Sequence, residues 1–248
     1  MHLTSELIAS FNPAQPNFSP TEIYNENWLV KIALHQASGI TDTAFPLSFL
    51  PCSTWFSEGL LPTAFKPRFR GDSLGESRTH ADGVIGHIRI GERGKADLEL
   101  STNAKQFTVV EAKMNAPLSP GISHARYYDQ AARTVACMAE VMARARVQPN
   151  SLNILDFILL APEENISQGK FDNELNEASV KEKVERRVSA YEGQLDDWYT
   201  YRFLPTLNKI RLYPLSWEKA LEWISNNKPY VADDLNEYYN LCLRYNKR

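Results

Sequence analysis

The segment from Asp97 to Lys113, DLELSTNAKQFTVVEAK, reads as two short strands around a turn. With the turn Thr102–Gln106 centred on Ala104, Asp97 faces Glu111 across a hairpin. Directly opposed residues share a face and stand about 4.5–5.5 Å apart at Cβ. Lys113, two residues further on, lies on that face as well. Two carboxylates that close repel, and one is driven toward its neutral form. A divalent cation relieves the repulsion, and a small set of oxygen ligands with open positions suits Mg²⁺. A metal there polarises a phosphoryl oxygen and acidifies bound water, while Lys113 orients the water or stabilises developing charge. That is equipment for hydrolysing a phosphodiester. The plain alternative is a set of solvated strand-end charges. The apolar run Phe107–Val110 directly before Glu111 argues instead for charges aimed at a cleft.

A rival aspartate, Asp82, lies in THADGVIG. If residues 82–90 form one strand that opens a meander, Asp82 starts it at the end far from Glu111. At about 3.3 Å per residue it then stands roughly 20 Å away, which leaves Asp97 as the expected main ligand.

Around these residues the pattern alternates helix and strand. Residues 1–20 read as an irregular arm, and Thr21 can cap a helix from Glu22 to about Ser38. Residues 39–80 carry Pro46, Pro51, Pro62 and Pro67 and show no clear period. Residues 82–90, 97–101 and 107–113 read as an antiparallel meander, with turn composition at 92–96 and 102–106. A helix spans about His124 to Arg146. Residues 152–160, LNILDFILL, are apolar on both faces and predict a strand buried on both. Helical segments, a strand at 210–213, a helix from Ser216 and a last helix over 232–246 follow. The expected fold is α/β, a mixed sheet flanked by helices in one domain, with a core over about 22–160 and a C-terminal extension over about 163–248.

The chemistry and the element order resemble the PD-(D/E)xK, or restriction-endonuclease-like, nuclease superfamily. The matching residues are Asp97 and the Glu111-Ala112-Lys113 triplet after the apolar strand. The familiar proline before the aspartate is Ala96 here. The Asp82-Gly83 step before an apolar strand also looks like the family's first aspartate. The resemblance implies an α-β-β-β-α-β core and Mg²⁺- or Mn²⁺-dependent hydrolysis of nucleic acid, with DNA as the expected substrate. In it Asp97 and Glu111 are the metal ligands and Lys113 stands beside the attacking water. Glu26, on the apolar stripe of the first helix, matches an additional acidic ligand, with Glu58 a weaker rival. Equally, Glu26 fits an exposed residue favoured by the helix dipole. Gln130 matches a glutamine near the metal in some members, and otherwise reads as a surface residue. Many nucleases of this type act as homodimers.

For substrate contact, Lys66, Arg68 and Arg70 interleave with Phe65 and Phe69, and Arg126 and Arg133 flank Gln130. Cations hold phosphates and aromatics stack on bases. The 248 residues carry a net charge of −3, so any nucleic-acid surface is local rather than global. The three cysteines, Cys52, Cys137 and Cys242, form no CxxC pair and read as buried reduced thiols. No apolar stretch is long enough to span a bilayer, and no basic-then-apolar leader opens the chain, so the expected location is cytoplasmic. A different class, a nuclease-fold module that binds nucleic acid or protein without cutting, fits the same pattern.

Overall fold

The structure, a computed structural model, describes residues 19–76, 79–91, 97–121 and 124–246. The arm before residue 19 and the turn composition at 92–96 lie outside the described residues.

A short 3₁₀ turn, Pro20–Glu22, precedes the first helix, α1 (Glu26–Ala37). Asn25 caps it, its side chain accepting from the Trp28 N–H, so the helix starts later than the Thr21 cap predicts. The proline at 20 favours a first turn, but the chain breaks again before Asn25. Residues 39–80, without a clear period in sequence, contain the strand β1 (Thr54–Leu61). Then come β2 (Thr79–Gly86), β3 (Ile88–Ile90), β4 (Leu98–Leu100) and β5 (Gln106–Ala112).

The main sheet has the order β1-β2-β5-β6-β7, where β6 is Ile154–Ala161 and β7 is Arg211–Ser216. β1, β2 and β5 are antiparallel neighbours; β5, β6 and β7 run parallel. The α/β class with a mixed sheet flanked by helices is therefore present. The expected meander is not. β4 pairs with β3 in a separate two-stranded sheet, and β5 pairs with β2. Asp97–Ser101 and Phe107–Lys113 are not neighbours. The apparent single strand over 82–90 is two, divided at His87.

Two apolar layers cover the sheet. On one face lie α2 (Gln130–Ala145) and α3 (Glu177–Ser189), packed on Phe107, Val109, Phe157 and Leu159. On the other lie α1, α4 (Trp217–Asn227) and α5 (Ala232–Tyr245), packed on Val110, Ala112, Ile158 and Leu160. Alternate residues of β5 and β6 thus feed opposite layers, which is why both strands are buried on both faces and rich in apolar residues. Asp129 caps α2 and Ser216 caps α4, each accepting a backbone N–H of the first turn. Among the described residues, no helix is long and apolar enough to cross a membrane. Cys137 and Cys242 are buried, but Cys52 is exposed.

Candidate active site

The site forms where β2 and β5 part. Their backbone pairing runs from Gly86↔Phe107 to Gly83↔Val110 and stops. The next pair in that register is Asp82 with Glu111. There the Asp82 carboxylate replaces the ladder: its Oδ2 accepts from the Ala112 N–H at 2.8 Å. On the other side β5 stays paired, and the Lys113 N–H donates to the Leu160 carbonyl at 2.8 Å. One edge of β5 is open at Glu111 while the other is held.

The opening has a local cause. Ala81 and Val84, three residues apart in β2, both enter the same apolar layer. A regular strand places only even-numbered neighbours on one face, so the strand is distorted between them. The same step is unpaired in β1: Ser57↔Gly83 and Gly59↔Ala81 are matched, but Glu58 and Asp82 are not. Glu58 sits there at φ 57°, a left-handed conformation that costs a non-glycine residue on the order of 1–3 kcal/mol. Gly83 lets α1 close against β2, because a Cβ there would meet Leu34 at 2.7 Å.

Glu111 is fully buried and Lys113 nearly so. One oxygen of Glu111 is heavily used. Its Oε1 accepts from Lys113 Nζ at 2.8 Å and from the side-chain amide of Gln130. Gln130 is itself aimed by the Ser119 N–H, which donates to its Oε1 at 3.2 Å. The other oxygen, Oε2, is buried with no donor to it, and a protonated Glu111 hydrogen-bonds to the Asp82 carboxylate. Burial, then the adjacent Asp82 charge, push the Glu111 carboxyl up to about 8, against the opposing pull of Lys113. For Lys113, burial pulls the ammonium down, but Glu111, Asp82 and Glu26 outweigh it and raise it. Glu26, half-buried at the start of α1, is raised by burial and by Asp82, with Lys113 opposing.

Asp82, Glu111, Lys113, Gln130 and Glu26 are thus brought together at one site. Asp97 does not. It precedes β4, where its carbonyl accepts from the Gly91 N–H at 2.8 Å and its backbone bridges to Leu60. The hairpin that contains it folds away from β5, so opposition to Glu111 is lost. Glu58 is adjacent to Asp82 in the sheet, but its carboxylate lies 3.8 Å from His80 Nδ1.

The cationic candidates scatter. Lys66 and Arg70 are exposed on the β1–β2 connection. Arg68 is committed to structure: Nε and Nη2 grip both oxygens of Asp72 at 2.9 and 3.2 Å, holding that carboxyl well below the usual range. Arg126 is exposed on a groove of about 440 Å³ next to Tyr127, whose ring lies 3.8 Å from the Arg186 guanidinium carbon. Arg133 lies one turn along α2 from Gln130.

Among the described residues no cluster of three or more His, Cys, Asp or Glu forms a ready metal cage. The donors present are hard oxygens: Oε2 of Glu111 and the facing carboxylate of Asp82. They fit a hard cation that keeps much of its own hydration, as Mg²⁺ does. No protein-family model, curated protein or solved structure matches the chain.

Proposed function

We propose that this chain is a Mg²⁺-dependent nuclease that hydrolyses phosphodiester bonds, with DNA as its substrate. The observation that carries the reading is the meeting of Asp82, Glu111 and Lys113 where two strands part. The helix–three strands–helix–strand order of α1, β1, β2, β5, α2 and β6 supports it, being the order of restriction-endonuclease-like cores.

Asp82 and Glu111 would hold the cation, with Glu26 in electrostatic reach of Asp82 and Lys113. When bound, a divalent cation supplies Lewis-acid polarisation of a phosphoryl oxygen and makes a coordinated water more acidic. The protein's own groups do the rest. Gln130 and Lys113 occupy Oε1 of Glu111 and so fix the carboxylate, leaving Oε2 without a donor. Lys113 stays charged and brings a preorganised positive group to the place where negative charge builds in the transition state. β6 and Trp217, whose indole N–H donates to the Lys113 carbonyl at 3.2 Å, hold the lysine backbone still.

The test is cleavage of plasmid DNA with Mg²⁺ or Mn²⁺ against EDTA, in wild type and Glu111→Gln. Metal-dependent nicking that the variant loses is the expected result. Metal-dependent DNA binding without any cleavage would leave a non-cutting binding module in its place.

A further inference from the structure

Beside this site, α2, α3 and the β1–β2 connection enclose a second polar group. Arg187 is fully buried, and its Nε donates to Glu76 Oε1 at 3.1 Å. Its Nη2 donates to the Leu74 carbonyl, and its guanidinium carbon lies 5.0 Å from the Phe65 ring and 5.3 Å from that of Tyr191. The second oxygen of Glu76 takes the Thr63 hydroxyl at 3.3 Å. Glu76 is therefore satisfied on both oxygens by Arg187 and Thr63.

Arg133 reaches the same group from α2. Its charge acts on Glu76 and on the Tyr128 hydroxyl, yet no carboxylate of the described residues lies in ion-pair distance of it. Its Nε is buried and unpartnered, and so are Arg187 Nη1 and the Tyr128 hydroxyl. One carboxylate stands against two guanidiniums. Arg187 takes the carboxylate, and the charge of Arg133 is left over. A half-buried cation with an unmet donor is costly unless an anion arrives. Arg133 also lies three residues from Gln130, and residues so spaced are neighbours on a helix surface. The anion would thus come from the side of Gln130, which contacts Glu111.

We propose that Arg133 contacts a backbone phosphate of the nucleic acid beside the bond that is cut, and that the Glu76–Arg187 pair leaves it available by neutralising itself. The proposal rests on the nuclease reading above and names one contact within it. Lys66, Arg70 and Arg126 are exposed and steer weakly; Arg133 is half-buried and holds an unpartnered Nε.

The experiment is anisotropy of a short labelled DNA duplex in Ca²⁺, titrated across a salt series, with inorganic phosphate as competitor. Each phosphate contact contributes about 0.9 to the slope of log K against log salt. Arg133→Met keeps the methylene stem and removes the charge. It is expected to lower the slope by about 0.9 and weaken binding about tenfold, the scale of one charge-assisted hydrogen bond. Arg133→Lys is expected to keep the slope and lose about threefold in affinity, because an ammonium lacks the guanidinium fork. Inorganic phosphate is expected to compete against wild type more strongly than against Arg133→Met. A wild-type slope in Arg133→Met overturns the role of Arg133 and leaves the nuclease reading standing. A wild-type protein that does not bind the duplex overturns both. If Arg133→Met does not fold, an unchanged affinity in Arg133→Lys overturns the proposal on its own.

Discussion

Replacing Glu111 with glutamine changes how stability depends on pH, and the sign follows from burial. The folded protein holds a proton on Glu111 up to about pH 8, against 4.5 for an ordinary glutamate. Below the lower value both folded and unfolded chains carry the proton, and pH has no leverage through this group. Between the two values the unfolded chain has released the proton and the folded one has not, so rising pH favours unfolding. The slope approaches about 1.4 kcal/mol per pH unit, and across the window the loss is on the order of 4 kcal/mol. A glutamine keeps the shape of the protonated acid. Its amide can donate to Asp82 where the acid proton stood, while its carbonyl still accepts from Lys113. Urea unfolding in EDTA at several pH values from 5 to 8 is the assay. Wild type is expected to lose stability steadily, and Glu111→Gln to lose on the order of 4 kcal/mol less. Glu76, raised by burial, contributes in the same direction to both proteins and cancels in the difference. Mg²⁺ is expected to restore the wild type at pH 8 and to do little for the variant. Parallel stability–pH curves for the two proteins would refute the buried, proton-sharing carboxylate.

Lys113→Ala is expected to lower single-turnover cleavage about 10²–10³-fold while the duplex still binds in Ca²⁺, because the ammonium acts on transition-state charge. Asp82→Asn is expected to abolish metal-dependent cleavage and Asp97→Asn to leave it intact, a direct comparison by plasmid nicking. Gly83→Ala is expected to cost about 1–3 kcal/mol in urea unfolding, since the new methyl would meet Leu34 at 2.7 Å and Val30 at 3.1 Å.

The end of β5 was legible because its signal is local. Three apolar residues and a threonine leading into Glu-Ala-Lys announce a core strand that delivers charge to its tip, and LNILDFILL beside it announces its parallel neighbour. Ser216 and the two last helices follow from caps and periodicity in the same way. β1 was not legible, since Glu58 in a left-handed conformation and Gly59 interrupt the alternation by which a strand is read. Without β1 the three antiparallel strands had to be found further along, and the β3–β4 excursion supplied plausible ones. Its alternation is genuine, but its partner is Ile88–Ile90 rather than β5. That one exchange promoted Asp97 over Asp82. Glu76 and Arg187 carried no signal at all: 111 residues separate them, and only the tertiary fold makes a buried pair of them.

The two outermost strands share a property that bears on how the molecule keeps its own company. A sheet edge is a row of unused hydrogen-bonding groups, open to any second copy that arrives extended. On one side the row is broken at Glu58, whose left-handed backbone turns the strand out of line midway. On the other, Pro214 in β7 lacks the donor that a continuing ladder needs. Neither border of the five-stranded sheet offers a continuous template. The distortion that opens the ladder at Asp82 thus also blunts one of the two seams along which copies of the protein could zip together into aggregates.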